Sequence, residues 1–226
     1  RGEAQLRGEF HTHNAIHCAD APVLTDEKNE ENDRIVAKYV ELYCDTCIPD
    51  EVEEPELNYL VLHRQTHHHT RSCKKYKKAD CRHGYPKLPS DKTIISRKLL
   101  GEDGIQKTKW AREILSKVMS IMKQTGTDIT LDELLTEAEI TKDDYEKASE
   151  ISLKRTSIVL KRKPSETSIN PYNPVILRAM RSNMDIQYIT DVWACIAYIT
   201  SYMCKPERNM SEMMNAAVKE APTQRE

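Results

Sequence analysis

The chain has 226 residues, of which 38% are hydrophobic and 31% charged, with a formal net charge of −2. That is enough for one large domain or two small ones with a modest core. No run approaches the roughly 18 apolar residues of a membrane span, and the polar start does not read as a signal peptide, so no membrane partner is expected.

The chain opens at Arg1, which suggests a piece of a longer protein. Seven cysteines, an odd count, stand among eight histidines. Without a secretion signal this favours metal ligation over disulfides. The near-neutral total hides segregated charge. Asp20 to Leu57 holds 13 acidic and 3 basic residues, Leu62 to Lys98 holds 11 basic and 2 acidic, and Lys154 to Arg181 holds 7 basic and 1 acidic. The basic stretches are either solvated surface or contacts for a phosphate backbone.

In chain order, residues 9 to 18 partly alternate and read as a strand. An acidic loop comes next. Residues 33 to 43 set Ile35, Val36, Val40 and Leu42 near helical spacing. Residues 57 to 66 read as helix or strand. The segment from His63 to Pro89 is dense in His, Cys, Lys and Arg and poor in large apolar residues, so it needs a staple other than a core. Residues 107 to 124 form an amphipathic helix with Trp110, Ile114, Val118, Ile121 and Met122 on one face, ended by Gly126. Thr130 to Glu133 is a capping box opening a helix over 131 to 138, and Thr141 caps another over 142 to 152. Residues 156 to 162 read as a strand, 164 to 174 as a turn-rich link, and 184 to 189 as a strand. Helices are expected over 191 to 204 and from Asn209 to about 219, with a disordered tail from Pro222.

Three constellations bear chemistry. His11 and His13, at i and i+2 on a strand, point to one face and can share a metal ion; surface histidines are the alternative. Glu3, with Gln5 two residues on, is close enough in sequence to add a carboxylate, leaving open positions on the metal. On the last well-marked helix, Tyr198, Tyr202 and Lys205 fall on one face, beside an apolar stripe of Val192, Ile196, Ile199 and Met203 expected to pack on the sheet. The alternative is two interfacial tyrosines. His67, His69, Cys73 and Cys81, with His63, His68 and His83 nearby, form a zinc signature of uncommon spacing, and zinc would supply the missing staple; a basic loop with incidental cysteines is the alternative. Cys44 and Cys47 are a further pair, either ligands or ordinary thiols.

These residues resemble a known family. The string from Glu3 to His13 resembles the metal motif of Helitron rolling-circle transposases. Ala21-Pro22 and Lys38 to Pro49 are similar to the residues downstream of that motif in the family. Gln65 to Cys73 with Cys81, Arg82, Tyr85 and Pro86 resembles the family's Cys/His segment. Asn170 to Pro174, Arg178, Asn183 to Gln187 and the Tyr198, Tyr202, Lys205 triplet resemble its tyrosine motif.

The resemblance implies an α+β, HUH (relaxase-like) fold: an antiparallel sheet flanked by helices, with a zinc-binding segment and a helical insertion. The endonuclease would occupy 1–60 and 154–220, the zinc segment 61–98, the insertion 99–153 and the tail 221–226. It implies a nuclear enzyme that nicks and joins single-stranded DNA through a 5'-phosphotyrosine. Tyr198, Tyr202 and Lys205 would be catalytic. Mg2+ or Mn2+ would sit at Glu3, Gln5, His11 and His13, and Zn2+ at His67, His69, Cys73 and Cys81. A helicase domain would come after it in the full-length protein. The other expectation is a non-catalytic, zinc-stabilised nucleic-acid-binding protein derived from such an element.

Overall fold

Local capping and apolar spacing set most elements of the chain. The computed structural model describes residues 2–4, 10–70, 73 and 81–203. Its contacts divide the sequence into two compact units, one from residues 1–19 and 191–226, the other from 20–190. Its class is α+β: helices with small two-stranded antiparallel sheets.

In the first unit, β1 (Gly2–Ala4) pairs antiparallel with β2 (Phe10–Thr12), with Glu3 opposite His11 in the register. Among the described residues of this unit, a helix runs over Val192–Met203. Asp191 opens it, its carboxylate accepting from the Ala194 N–H at 2.9 Å, which satisfies one of the orphan donors of a helix start.

The second unit begins with α1 (Glu30–Tyr43). Asn29 caps it by accepting from the Asn32 N–H at 2.9 Å. Glu30, Glu31 and Asp33 in the first turn suit the positive end of the helix dipole. The helix buries Val36 and Val40 against Ile95. Ile95 belongs to β3 (Ile94–Ser96), which pairs antiparallel with β4 (Ser157–Val159).

The helix α2 (Pro55–Leu60) runs into a π-helical turn over Val61–Gln65. Leu57 and Leu60 of α2, with Val61 of the turn, pack with Ile169, Tyr172 and Leu177. Leu177 lies on a further helix, Pro174–Met180, capped by the Asn173 side chain.

The largest core joins α3 (Gly101–Thr125), α4 (Leu131–Glu137) and α5 (Lys142–Ser149). Thr130 and Glu133 form the reciprocal capping box. Gly126, at φ 88°, ends α3 in a conformation that side chains with a Cβ rarely adopt. The Tyr145 hydroxyl donates to the Pro89 carbonyl at 2.8 Å, so the large aromatic is buried with its polar tip satisfied. In chain order, Pro174–Met180 is then α6 and Val192–Met203 is α7.

Several expectations are corrected. Residues 184–189 form no strand. The Met184 backbone is held by the Gln65 side-chain amide, whose nitrogen donates to the Met184 carbonyl at 2.9 Å and whose oxygen accepts from its N–H at 3.2 Å. The Ile186 N–H donates to the Pro171 carbonyl. Those bonds take the groups a ladder would need. The strand expected over 9–18 is short, covering Phe10–Thr12. On α3 the buried line is Ala111, Leu115, Val118 and Met122, with Trp110, Ile114 and Ile121 half-buried beside it. The stripe expected on α7 is not buried throughout: Val192 is 62% exposed and Ile196 49%. A ladder of two three-residue strands offers little face to cover it. The link over 164–174 contains a 3-10 turn, Pro164–Glu166. The helix expected from Asn209 and the tail from Pro222 lie outside the described residues.

A candidate zinc centre and a histidine–tyrosine pair

The π-helical turn delivers the chain into the His/Cys segment. Thr66 forms a β-bridge with Ile169, and the His67 N–H donates to the Ser168 carbonyl at 2.8 Å. Backbone pairing thus fixes His67 before its ring is used. The ligand atoms of His67, His69, Cys73 and Cys81 all lie within 4.8 Å of one another, and this cluster can hold a metal ion such as zinc. The His67 Nε2 is 3.5 Å from the Cys73 Sγ and 3.3 Å from the Cys81 Sγ. A tetrahedral zinc with bonds of about 2.0 Å to nitrogen and about 2.3 Å to sulfur separates such ligands by roughly 3.5 Å. Both separations therefore fit.

The surroundings favour the ligating forms. Burial pushes the His67 imidazole down, and the neighbouring His69 and His83 rings add to the effect, which keeps it neutral. The Thr70 N–H donates to the Cys73 Sγ at 3.4 Å, and this bond pulls the buried Cys73 thiol below its ordinary range. The His67 ring stacks on Tyr85, with centroids 4.3 Å apart and planes within 14°. The Tyr85 hydroxyl donates to the Asn170 side chain, and Lys87 Nζ lies 4.5 Å above the same ring. Burial pushes Tyr85 up to about 12, so it stays a neutral phenol. These contacts orient a ligand ring in the way outer partners of metal sites do. Tyr85 is legible in the sequence as part of a motif, but not as the support beneath His67.

Other residues named from the sequence lie elsewhere. His63 stacks on Tyr59, and His68 is exposed. Cys44 and Cys47 do not join the cluster. Burial pushes them up to about 11 and about 12, with Asp185 acting on Cys44 and Asp45 on Cys47, so they are ordinary protonated thiols. The lysines from Lys74 to Lys78 lie outside the described residues.

The first unit carries the second constellation. His11 lies in β2 opposite Glu3, and His13 comes just after the strand end. The half-buried His13 ring meets the Tyr198 ring edge-on, with centroids 5.3 Å apart and planes at 82°. Tyr198 is 49% exposed on α7, one turn before Tyr202. The imidazole near the start of the sequence and the phenol near its end thus share one place. Gln5 and Lys205 lie outside the described residues.

No helix among the described residues is long and apolar enough to cross a membrane. No protein-family model matches the chain, and no curated protein or solved structure matches it.

Proposed function

We propose that the chain is part of a rolling-circle initiator of the Helitron type, a nuclear, HUH-class endonuclease that nicks and rejoins single-stranded DNA. The observation that supports this reading is the ring contact between His13 and Tyr198 at 5.3 Å. A metal-ligating imidazole and a nucleophilic phenol need to share one cleft for this chemistry, and these two rings meet.

The Tyr198 or Tyr202 hydroxyl attacks phosphorus. A phosphotyrosine bond forms, the bond from phosphorus to the 3'-oxygen breaks, and that oxygen leaves as a hydroxyl after taking a proton. A phenol of ordinary pKa near 10 is a weak nucleophile at neutral pH and needs activation. Glu3 (or Gln5), His11 and His13 would hold Mg2+ or Mn2+, which supplies charge stabilisation at the scissile phosphate. The register of Glu3 opposite His11 suits such a set. Lys205 steadies the phosphate or the phenolate. With two tyrosines, one strand end can be held while a second is attacked, as strand transfer requires. The Cys/His segment, with zinc held by His67, His69, Cys73 and Cys81, would contribute to DNA binding.

The test is cleavage of an end-labelled single-stranded oligonucleotide with manganese. The proposal expects cleavage that chelation abolishes and that is lost in His13→Ala and in the Tyr198→Phe/Tyr202→Phe pair. Cleavage that persists in both variants refutes it. A second reading has its own support in the zinc cluster within the basic segment: a non-catalytic, zinc-stabilised nucleic-acid-binding protein. Binding without cleavage by the zinc-loaded chain would favour it.

A further inference from the structure

Tyr59 is 53% exposed on α2, although Leu57, Leu60 and Val61 around it in sequence are buried. Its ring is not left to move alone. The His63 ring stacks on it with centroids 4.1 Å apart and planes within 23°. The His63 Nδ1 lies 2.9 Å from the Tyr59 carbonyl. A carbonyl only accepts, so Nδ1 carries the hydrogen, and the ring is fixed by a bond at its base. Leu62, also exposed, lies three residues from Tyr59 on the same turn. The result is a flat, preordered aromatic shelf open to solvent, built where α2 runs into a π-helical turn, a feature frequent at functional sites.

The charge around the shelf indicates what it takes. Arg64 comes next in the chain and is exposed, and the stretch from Leu62 to Lys98 has 11 basic and 2 acidic residues. The acidic groups at the start of α2 are already matched, Glu54 by Arg178 and Glu56 by Arg181. An aromatic surface bordered in sequence by the exposed Arg64, where a basic stretch begins, fits a polyanion that carries exposed rings. Bases within a duplex already stack on each other, whereas an unpaired base offers its face to an aromatic side chain.

We propose that the Tyr59–His63 stack, with Arg64 beside it, is a docking platform for an unpaired base of single-stranded DNA. It rests on the reading of the chain as a single-strand binder and is independent of the nicking chemistry. Tyr59 supplies the ring face, His63 holds it flat, and Arg64 takes the adjacent phosphate.

The test measures anisotropy of fluorescein-labelled oligothymidylate titrated with the zinc-loaded chain. Tyr59→Ala is expected to weaken binding by roughly tenfold, the scale of one lost base stack, while Tyr59→Phe binds like the parent. An oligomer with abasic sites in place of thymidines is expected to bind the parent as weakly as oligothymidylate binds Tyr59→Ala. Arg64→Gln is expected to lower the salt slope by about 0.7. Circular dichroism of Tyr59→Ala is expected to match the parent, since the ring lies at the surface. Parent-like affinity in Tyr59→Ala, or equal affinity for the abasic oligomer, overturns the platform alone. A preference for oligouridylate over oligothymidylate overturns the DNA assignment. A parent that binds no single strand overturns the functional reading and the platform together.

Discussion

Asp33→Ala is expected to destabilise the second unit far more than an ordinary helix-surface change. Asp33 lies in the first turn of α1 and takes two bonds from Arg97, at 2.6 Å from Nη1 and 2.5 Å from Nη2. Arg97 also donates to the Thr25 carbonyl, while its buried Nε has no hydrogen-bond partner. The two side chains are only 10% and 18% exposed. Removing the carboxylate leaves a guanidinium in a poorly solvated place with one remaining carbonyl. Breaking one partner of a buried pair costs about 3–5 kcal/mol. The partial exposure of Asp33 lets water reach the gap, which puts the expected loss near the low end, about 3 kcal/mol. For a chain of this size that corresponds to a fall in Tm of roughly 6–12 °C. The assay is thermal and urea unfolding of the parent, Asp33→Ala, and Asp33→Ala/Arg97→Met. The double variant is expected to regain much of the loss, because no charge is left buried. A loss under about 1 kcal/mol, within the range of surface ion pairs, or a double variant as unstable as the single one, would refute the reasoning.

Removal of zinc by a chelator, or Cys73→Ser with Cys81→Ser, is expected to abolish bound zinc. Most of the helical circular dichroism should survive, because the three apolar clusters are built from residues outside the segment from His67 to Cys81. A parent chain that takes up no zinc would contradict the site. Tyr145→Phe is expected to cost about 1–3 kcal/mol by leaving the Pro89 carbonyl buried and unpaired, read by urea unfolding; a neutral effect would contradict that bond. Burial raises the Cys44 and Cys47 thiols, so the folded state holds those protons more tightly than the unfolded chain does. Their contribution to stability is therefore present below the ordinary thiol range and is lost as pH rises through it. Urea midpoints at pH 7 and pH 10 should show a decline that shrinks in Cys44→Ala/Cys47→Ala; an unchanged decline would count against it.

How much of the fold is legible in the sequence differs by element and has physical causes. The helices α3, α4 and α5 arise from apolar spacing and from Thr130, Thr141 and Gly126, all local signals, although α3 begins earlier than its periodicity indicates. The strand β3 shows no alternation, because Ile94, Ile95 and Ser96 are all buried. Residues 184–189 alternate but have no strand to pair with, and alternation alone makes no ladder. The helix α6 carries an Asn173-Pro174 start that fits the usual cap and first-turn preferences, yet at seven residues it is too short for a helical period to stand out beyond the link. The candidate metal cluster is readable because its two histidines and two cysteines fall within a short stretch of chain that lacks a core. The Arg97–Asp33 pair and the Tyr85 support of His67 are not, because both depend on tertiary approach of residues with no shared local pattern.

The central claim is that a tyrosine beside His13 becomes covalently joined to DNA. Intact-mass measurement of the denatured protein, after incubation with a single-stranded oligonucleotide and manganese, addresses it most directly. The account predicts a species heavier by the 5'-phosphorylated cleavage product less one water, mapping to the peptide that holds Tyr198 and Tyr202. A protein of unchanged mass, or an adduct that maps away from those two tyrosines, would contradict it.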